Sequence, residues 1–437
     1  MKCGGRTTAS RILLLFLYLS VEAFQVCLSD FPRIWKRSPS APPPGSIVLP
    51  LSGNVYPLGY YSVSLKVGRP PKLYDLDIDT GSDLTWLQCD APCTGCTKPR
   101  DQLYKPNNNL VHCKDLLCSA IRTTGNEPCK TPHDQCDYDI EYADHCSSLG
   151  VLVNDHFTFP LTNNSILSPR LAFGCGYNQH IPGSISPPPT AGVLGLGNGK
   201  TSIMTQLHGL GVIRNVLGHC LSTKGGGFLF FGDHPAPPSK ISWVPMFNLE
   251  KHYSSGPAEL LNNGKPSGVK GLEVIFDSGS SYTYFNSKAY RAILNQLRGD
   301  LNGKPLKDAT DDKSLPVCWK GAKPFKSIDD AKAYFKPVVL SFTKNVQFQI
   351  PPEAYLIVTK HGNACLGILS GTEVGLEDHN VIGDISLQDK IVIYDNEKKQ
   401  IGWVSANCDH LPNGDPHHNE GISQPYYAAG HTYREDL

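Results

Sequence analysis

The chain has no excess of charge of either sign: 40 Lys+Arg stand against 40 Asp+Glu in 437 residues. A neutral balance leaves no electrostatic footprint for nucleic acid or for an anionic membrane surface, so neither is expected as a partner. Long apolar runs are missing after residue 19, which argues against any later bilayer-spanning helix. The C-terminus closes on polar Arg434-Glu435-Asp436-Leu437 without the apolar tail that a lipid anchor signal needs. Helical periodicity is scarce as well. Its clearest stretch is Ser287 to Leu297, where Ser287 is placed to cap and Tyr290, Ile293 and Leu297 share a face. What is plentiful is Gly (41) and Pro (35), with 9% aromatics, the composition of a turn-rich, all-β protein.

The one long apolar run is N-terminal. Lys2, Arg6 and Arg11 precede Ile12-Leu13-Leu14-Leu15-Phe16-Leu17-Tyr18-Leu19, and Val21-Glu22-Ala23 offers small residues for cleavage. Residues 1–23 therefore read as a secretory signal peptide, with an uncleaved anchor as the competing reading. The mature protein is then expected in the secretory pathway, with the cell exterior, the cell wall or the vacuole as destination and no membrane contact. Residues 24–45 are basic and then Pro-rich, with Lys36-Arg37 and Ala41-Pro42-Pro43-Pro44, and read as a short pro-segment or linker.

Fifteen cysteines in a secreted chain imply disulfides. Loss of Cys3 and Cys27 with the leader leaves thirteen, so one thiol is unpaired or reaches another chain. Cys93-Thr94-Gly95-Cys96 has zinc-ligand spacing, but no second matching pair accompanies it and the compartment is oxidising, so no metal is expected. Asn163-Asn164-Ser165 is the single glycosylation sequon.

From Ile47 the texture becomes that of strands. Tyr60 to Val67 alternates apolar and polar residues, Gly68-Arg69-Pro70-Pro71 turns the chain, and Leu73 to Ile78 is the next strand. Leu171-Ala172-Phe173-Gly174 and Gly227 to Gly232 read as further strands. A first lobe is expected over 46–222, a second over 223–410, and a disordered polar tail over 411–437.

Two segments about 200 residues apart nearly repeat each other: Leu76-Asp77-Ile78-Asp79-Thr80-Gly81-Ser82 and Val274-Ile275-Phe276-Asp277-Ser278-Gly279-Ser280. Each delivers an Asp from an apolar strand onto a small-residue turn. Ala191-Gly192-Val193-Leu194-Gly195 and Asn380-Val381-Ile382-Gly383 echo each other at similar offsets behind them. One copy would pass for an Asx-turn; two copies suggest a duplicated lobe. Two carboxylates brought together share one proton, because both cannot ionise cheaply. The ionised member is then a base toward water, and the protonated one polarises a peptide carbonyl. Gly81 and Gly279 would let the backbone approach closely, Ser82 and Ser280 would donate to the outer carboxylate oxygens, and Thr80 and Ser278 would brace the two turns. Asp77 shares a face with Asp79 by strand period, but the turn that follows breaks the inference. Asp384 reads as holding a buried turn.

The chain resembles the pepsin-type aspartic endopeptidases, in their plant nucellin-like and nepenthesin-like branch, over roughly 56–408. The resemblance rests on Asp79-Thr80-Gly81-Ser82-Asp83-Leu84-Thr85-Trp86, on the insert from Cys89 to Cys96, and on Phe173-Gly174-Cys175-Gly176. Asp277-Ser278-Gly279-Ser280-Ser281-Tyr282-Thr283 and Ile382-Gly383-Asp384 complete it. It implies an all-β, bilobal pepsin-like fold with a cleft between lobes, Asp79 and Asp277 as the catalytic pair, an extended polypeptide substrate, no cofactor, a monomer and an acidic working pH. It also implies the bridges Cys89–Cys93, Cys96–Cys175, Cys113–Cys136, Cys118–Cys129, Cys220–Cys408 and Cys318–Cys365, with Cys146 left over. In such enzymes a β-hairpin flap closes over substrate and carries a Tyr, here Tyr142, with Trp86 packed near it. Relatives usually have Gly where this chain has His145 and Cys146, a change that either reshapes the flap or is surface variation. The alternative function is a catalytically silent pepsin-like binding or inhibitor protein.

Overall fold

The alternation over Tyr60–Val67 becomes a strand with Tyr61, Val63, Leu65 and Val67 buried. It pairs antiparallel with the strand Lys72–Asp79, so the Gly-Arg-Pro-Pro turn between them delivers Asp79 to a strand end. The computed structural model describes residues 45–121, 129–183, 189–247, 252–376 and 379–411. The expected signal peptide, pro-segment (Gly45 apart) and tail (Leu411 apart) lie outside the described residues.

A sheet of fourteen strands takes in both halves of the chain. Ile47–Asn54 pairs with Gly227–Phe231, which pairs with Val216–Leu221, which pairs in turn with the C-terminal Lys390–Asp395. The position 222–223 thus falls in the turn of a hairpin, and the ladder runs on across it. A seven-stranded and a four-stranded sheet complete the second half. Among the described residues no helix is long and apolar enough to cross a membrane.

The sequence echoes are one structural unit used twice. Lys72–Asp79 runs parallel to Gly192–Gly195, with Asp79 opposite Gly195. Lys265–Phe276 runs parallel to Asn380–Ile382, with Phe276 opposite Ile382. In each half a short strand just past the Asp, Trp86–Gln88 or Thr283–Phe285, lies antiparallel to that partner. The Gly195 amide donates to Thr85 Oγ1 at 3.1 Å, and the Gly383 amide to Thr283 Oγ1 at 3.2 Å. A Cβ on Gly383 would lie 2.0 Å from the Tyr282 carbonyl oxygen, so only glycine fits this crossing.

Aromatic packing backs the site. Phe276, directly before Asp277, is fully buried and lies against Phe348 and Trp403, with ring centroids 5.6 and 6.0 Å away. Burial of each such side chain contributes about 1.5–3 kcal/mol, which anchors the strand that leads into Asp277.

Two expectations are corrected. The helix spans Ser287–Leu301, and its cap is Asn286, whose side-chain oxygen accepts the Ala289 amide at 3.0 Å; the Ser287 hydroxyl instead bonds Thr372 Oγ1. Four bridges also exchange partners. Cys89 joins Cys175 and Cys93 joins Cys96; Cys113 joins Cys129 and Cys118 joins Cys136. Strand register explains the first pair: Trp86–Gln88 runs parallel to Arg170–His180 with Leu87 opposite Cys175, so Cys89, next in the chain, cannot turn back to Cys93. Burial sorts the second. Cys118 and Cys136 both lie in a small apolar cluster with Val111 and Tyr138, whereas Cys113 sits at its edge. Cys220–Cys408 and Cys318–Cys365 form as expected, and Cys146 is free.

Candidate active site

The repeated turns bring Asp79 and Asp277 face to face. In the first turn the Gly81 amide donates to Asp79 Oδ1 at 2.8 Å and the Ser82 hydroxyl to Oδ2. In the second, Gly279 donates to Asp277 Oδ1 at 2.8 Å and Ser280 to Oδ2 at 2.7 Å. Each glycine abuts the opposite carboxylate: a Cβ on Gly81 would be 2.5 Å from Asp277 Oδ1, and one on Gly279 would be 2.4 Å from Asp79 Oδ1. Burial first, and the Asp277 charge second, push Asp79 up to about 7. A pair so arranged retains one proton between them, and its titration belongs to the pair.

Thr80 and Ser278 lock the turns together. The Thr80 amide donates to Ser278 Oγ at 3.1 Å and the Ser278 amide to Thr80 Oγ1 at 2.9 Å. Each hydroxyl then donates into the opposite strand, Thr80 to the Phe276 carbonyl and Ser278 to that of Ile78, both at 3.0 Å. Four reciprocal bonds in a buried spot hold the two carboxylates in register.

The hairpin of Asp137–Glu141 and Ser147–Pro160 carries Tyr142. The Trp86 indole N–H donates to its hydroxyl at 2.7 Å. Burial, followed by the Asp79 charge, raises the Tyr142 hydroxyl far above its ordinary range, so it stays protonated. At the tip the His145 amide bonds the Tyr142 carbonyl, and the Tyr142 amide bonds that of Cys146. This is a type I turn followed by a left-handed residue. His145 takes that position, at φ 65°, and is exposed. Its Nδ1 lies 3.3 Å from Glu141 Oε1.

Asp77 accepts from Thr190 Oγ1 at 2.9 Å. Asp384 is 1% exposed. Its amide donates to the Ser280 carbonyl at 2.7 Å, and burial, then Asp277 and Asp79, push its carboxyl well above the usual range. The buried turn expected of Asp384 is present; the upward push that burial and neighbouring carboxylates give its carboxyl carried no signal in the sequence. Asn163 is exposed, with its side-chain oxygen accepting from Ser165.

Two family profiles match, described as "Xylanase inhibitor N-terminal" over 61–233 and "Xylanase inhibitor C-terminal" over 257–405. An aspartic proteinase of Oryza sativa subsp. japonica is 45% identical over 384 residues, covering 85% of this chain and 93% of that protein. The chain belongs to the pepsin-like aspartic proteinases, in the plant branch that holds this rice proteinase and the nepenthesins. Solved structures of this fold include the aspartic proteinase of Irpex lacteus, at 16% identity and TM-score 0.59, covering 84% of this chain and all of that one. The soybean basic 7S globulin is similar too, at 17% identity and TM-score 0.65, covering 85% of this chain and 99% of that one.

Within this aspartic proteinase fold two fully buried polar residues carried no motif in the sequence. Tyr394 and His219 stand on neighbouring strands, and His219 Nε2 lies 3.1 Å from Tyr394 Oη. Only the apolar runs around them could have marked them as buried.

Proposed function

We propose that the protein is an aspartic endopeptidase that hydrolyses peptide bonds of an extended polypeptide with Asp79 and Asp277. The observation that carries this reading is the reciprocal fit of each carboxylate against the other turn's glycine. In the proposed step the ionised member takes a proton from water as the water oxygen bonds the scissile carbonyl carbon. The protonated member gives its proton to the carbonyl oxygen. Collapse of the tetrahedral diol breaks the C–N bond: the carboxyl that took a proton from water gives it to the leaving nitrogen, and one diol hydroxyl returns its proton to the other carboxylate. Tyr142 would cover the substrate while Trp86 fixes its hydroxyl. No cofactor enters this scheme, and one chain suffices for it.

The secretory pathway is supported by the six bridges, which need an oxidising compartment, and by the exposed sequon at Asn163. The final address we infer is the cell exterior, the wall or the vacuole.

A second reading, a silent binding or inhibitor protein, is favoured by the xylanase-inhibitor description of the matching profiles and by His145 and Cys146 at the flap tip. Titration calorimetry with a statine-type transition-state mimic separates the two. The enzyme reading expects binding by the wild type at acid pH and at least a hundredfold weaker binding by Asp79→Asn. Equal affinities, or none in either, would favour the silent protein.

A further inference from the structure

Lys390 is only 7% exposed, and a lysine is almost never buried so deeply without an acidic partner. Its partners here are not carboxylates. Nζ donates to the Ser386 carbonyl at 3.1 Å and to the Gln388 carbonyl at 3.3 Å, and it stands over the Phe348 ring, 5.4 Å from the centroid. The two carbonyls close the C-terminal end of the short helix Asp384–Leu387, where a helix leaves its last carbonyls without intrahelical partners. Burial lowers the ammonium to about 8, and Asp389 and Glu353 oppose that fall, so the charge persists across the acid range. At the other end of the helix the Asp384 amide donates to the Ser280 carbonyl at 2.7 Å and the Ile385 amide to the Ser281 carbonyl at 3.1 Å. The Ser280 hydroxyl in turn donates to Asp277 Oδ2 at 2.7 Å. Between the two ends Ser386 Oγ accepts from Thr283 Oγ1 at 2.7 Å and donates to the Ala354 carbonyl at 3.0 Å. The helix is thus pinned at its middle, and a shift at one end is passed to the other. The first half has the same backbone bond, from the Gly197 amide to the Ser82 carbonyl at 2.8 Å, but there the next support is a carboxylate: Asp83 accepts the Gly199 amide at 2.8 Å.

We propose that Lys390 is a positioning residue for the reaction: its buried ammonium fastens the helix Asp384–Leu387 so that the Ser280 hydroxyl stays aimed at Asp277 Oδ2. The proposal rests on the proteinase reading above. Lys390 acts through Ser280 and the helix, not on substrate. A hydrogen bond given to a carboxylate favours its ionised form, so the Ser280 bond helps keep one member of the pair ionised in acid. Without the ammonium the Ser386 and Gln388 carbonyls lose this donor, the helix shifts, and the Ser280 hydroxyl drifts from Oδ2. Small displacements of reacting groups cost large factors in rate, so turnover falls while substrate binding stays nearly unchanged.

The test compares wild type with Lys390→Met, which keeps the side-chain length and removes the charge and the donors, with Ser280→Ala and with the double variant. Tyr104→Phe is the control for lost stability, since its buried hydroxyl in the first half donates to Asp155 Oδ2 at 2.8 Å. Hydrolysis of a quenched peptide across acid pH gives kcat, KM and the acid limb of kcat/KM, and thermal unfolding gives Tm. Lys390→Met should lower kcat about tenfold, leave KM within about twofold and move the acid limb to higher pH. Ser280→Ala should move the same quantities in the same directions. The double variant should be no slower than Ser280→Ala alone, because the lysine acts through that hydroxyl. Tyr104→Phe should lose Tm but keep kcat and the acid limb. A wild-type kcat and acid limb in Lys390→Met, losses that multiply in the double variant, or a kcat loss in Tyr104→Phe matching its Tm loss overturns the role of Lys390 alone. Should Lys390→Met fail to fold, Lys390→Gln, which also lacks the charge, overturns it by showing a wild-type kcat and acid limb. A wild type that neither cleaves nor binds the statine mimic overturns the proteinase reading, and this role with it.

Discussion

Gly81 belongs to the first turn but closes on the second turn's carboxylate: any Cβ there would lie 2.5 Å from Asp277 Oδ1. Gly279 stands in the same relation to Asp79, at 2.4 Å. Each half of the chain therefore supplies one acid and the clearance for the other. Neither Asp turn is complete without its counterpart.

Gly81→Ala and Gly279→Ala should each lower kcat at least a hundredfold, because the carboxylate must move and both its bonds are to its own turn. Gly299→Ala is the contrast. A Cβ there meets nothing within 4 Å, and Gly299 lies inside the helix Ser287–Leu301. Denaturant unfolding should show it more stable by about 0.5–1 kcal/mol, with activity intact.

The brace predicts a coupling between halves. Ser278→Ala removes a bond given to the Ile78 carbonyl and one taken from the Thr80 amide, leaving both groups buried. Loss of a buried partner costs about 1–3 kcal/mol per stranded group. No bond joins the two hydroxyls, so the losses in Ser278→Ala and Thr80→Val couple only because both loosen the same pair of turns, and the double variant should depart from the sum of the singles by about 0.5 kcal/mol or more. Urea unfolding of the cycle measures this; strict additivity would contradict it.

Asp77 makes a pH-dependent prediction. Burial pushes it from 3.8 up to about 7. Between those values the folded state holds a proton that the unfolded state releases, so this group's contribution to stability falls as pH rises, and the penalty is complete above 7. Asp77→Asn should therefore raise Tm at pH 7.5 and hardly at pH 4. A gain of about 1 kcal/mol would correspond to a rise of at most about 2 °C, because the shift per kcal/mol shrinks as the chain grows beyond about 150–250 residues. Equal gains at both pH values would remove the cause assigned here.

At the flap, burial and the Asp144 carboxylate push the Cys146 thiol up to about 12. The thiolate is the reactive form, so iodoacetamide at pH 8 should label the folded protein at least tenfold more slowly than the guanidinium-unfolded one. His145 occupies a left-handed position at φ 65°, which costs a side-chain-bearing residue about 1–2 kcal/mol. His145→Gly relieves that strain and adds unfolded-state entropy, so a net stabilisation of up to about 1 kcal/mol is expected in denaturant unfolding.

Much of this was legible because the duplication is written locally. The Asp-Thr-Gly-Ser and Asp-Ser-Gly-Ser turns and the apolar-apolar-Gly triplets each report a strand and its end, and their repetition reports the parallel pairing behind both carboxylates. Tyr142 and Trp86 are placed together by the family resemblance, since 56 residues of chain separate them and nothing local joins them. The bridges from Cys89 to Cys136 could not be read the same way: which cysteines meet depends on sheet register with Arg170–His180 and on which side chains enter the small apolar cluster. Asp384 looked like a turn residue because what raises its carboxyl is burial and the charges of Asp277, Asp79 and Asp77, none of them a neighbour in sequence. The contact of His219 with Tyr394 spans 175 residues of chain and carries no motif, so only the folded sheet reveals it.

The most direct test is digestion of acid-denatured globin from about pH 2.5 to 7, the range a proton-sharing carboxyl pair serves. Wild type and Asp277→Asn would be compared, each with and without the statine-type mimic. The account predicts an acidic optimum in the wild type that both the mimic and the substitution abolish. Cleavage that survives Asp277→Asn, or a processed and fully disulfide-bonded wild type that cleaves nothing across this range, would contradict it.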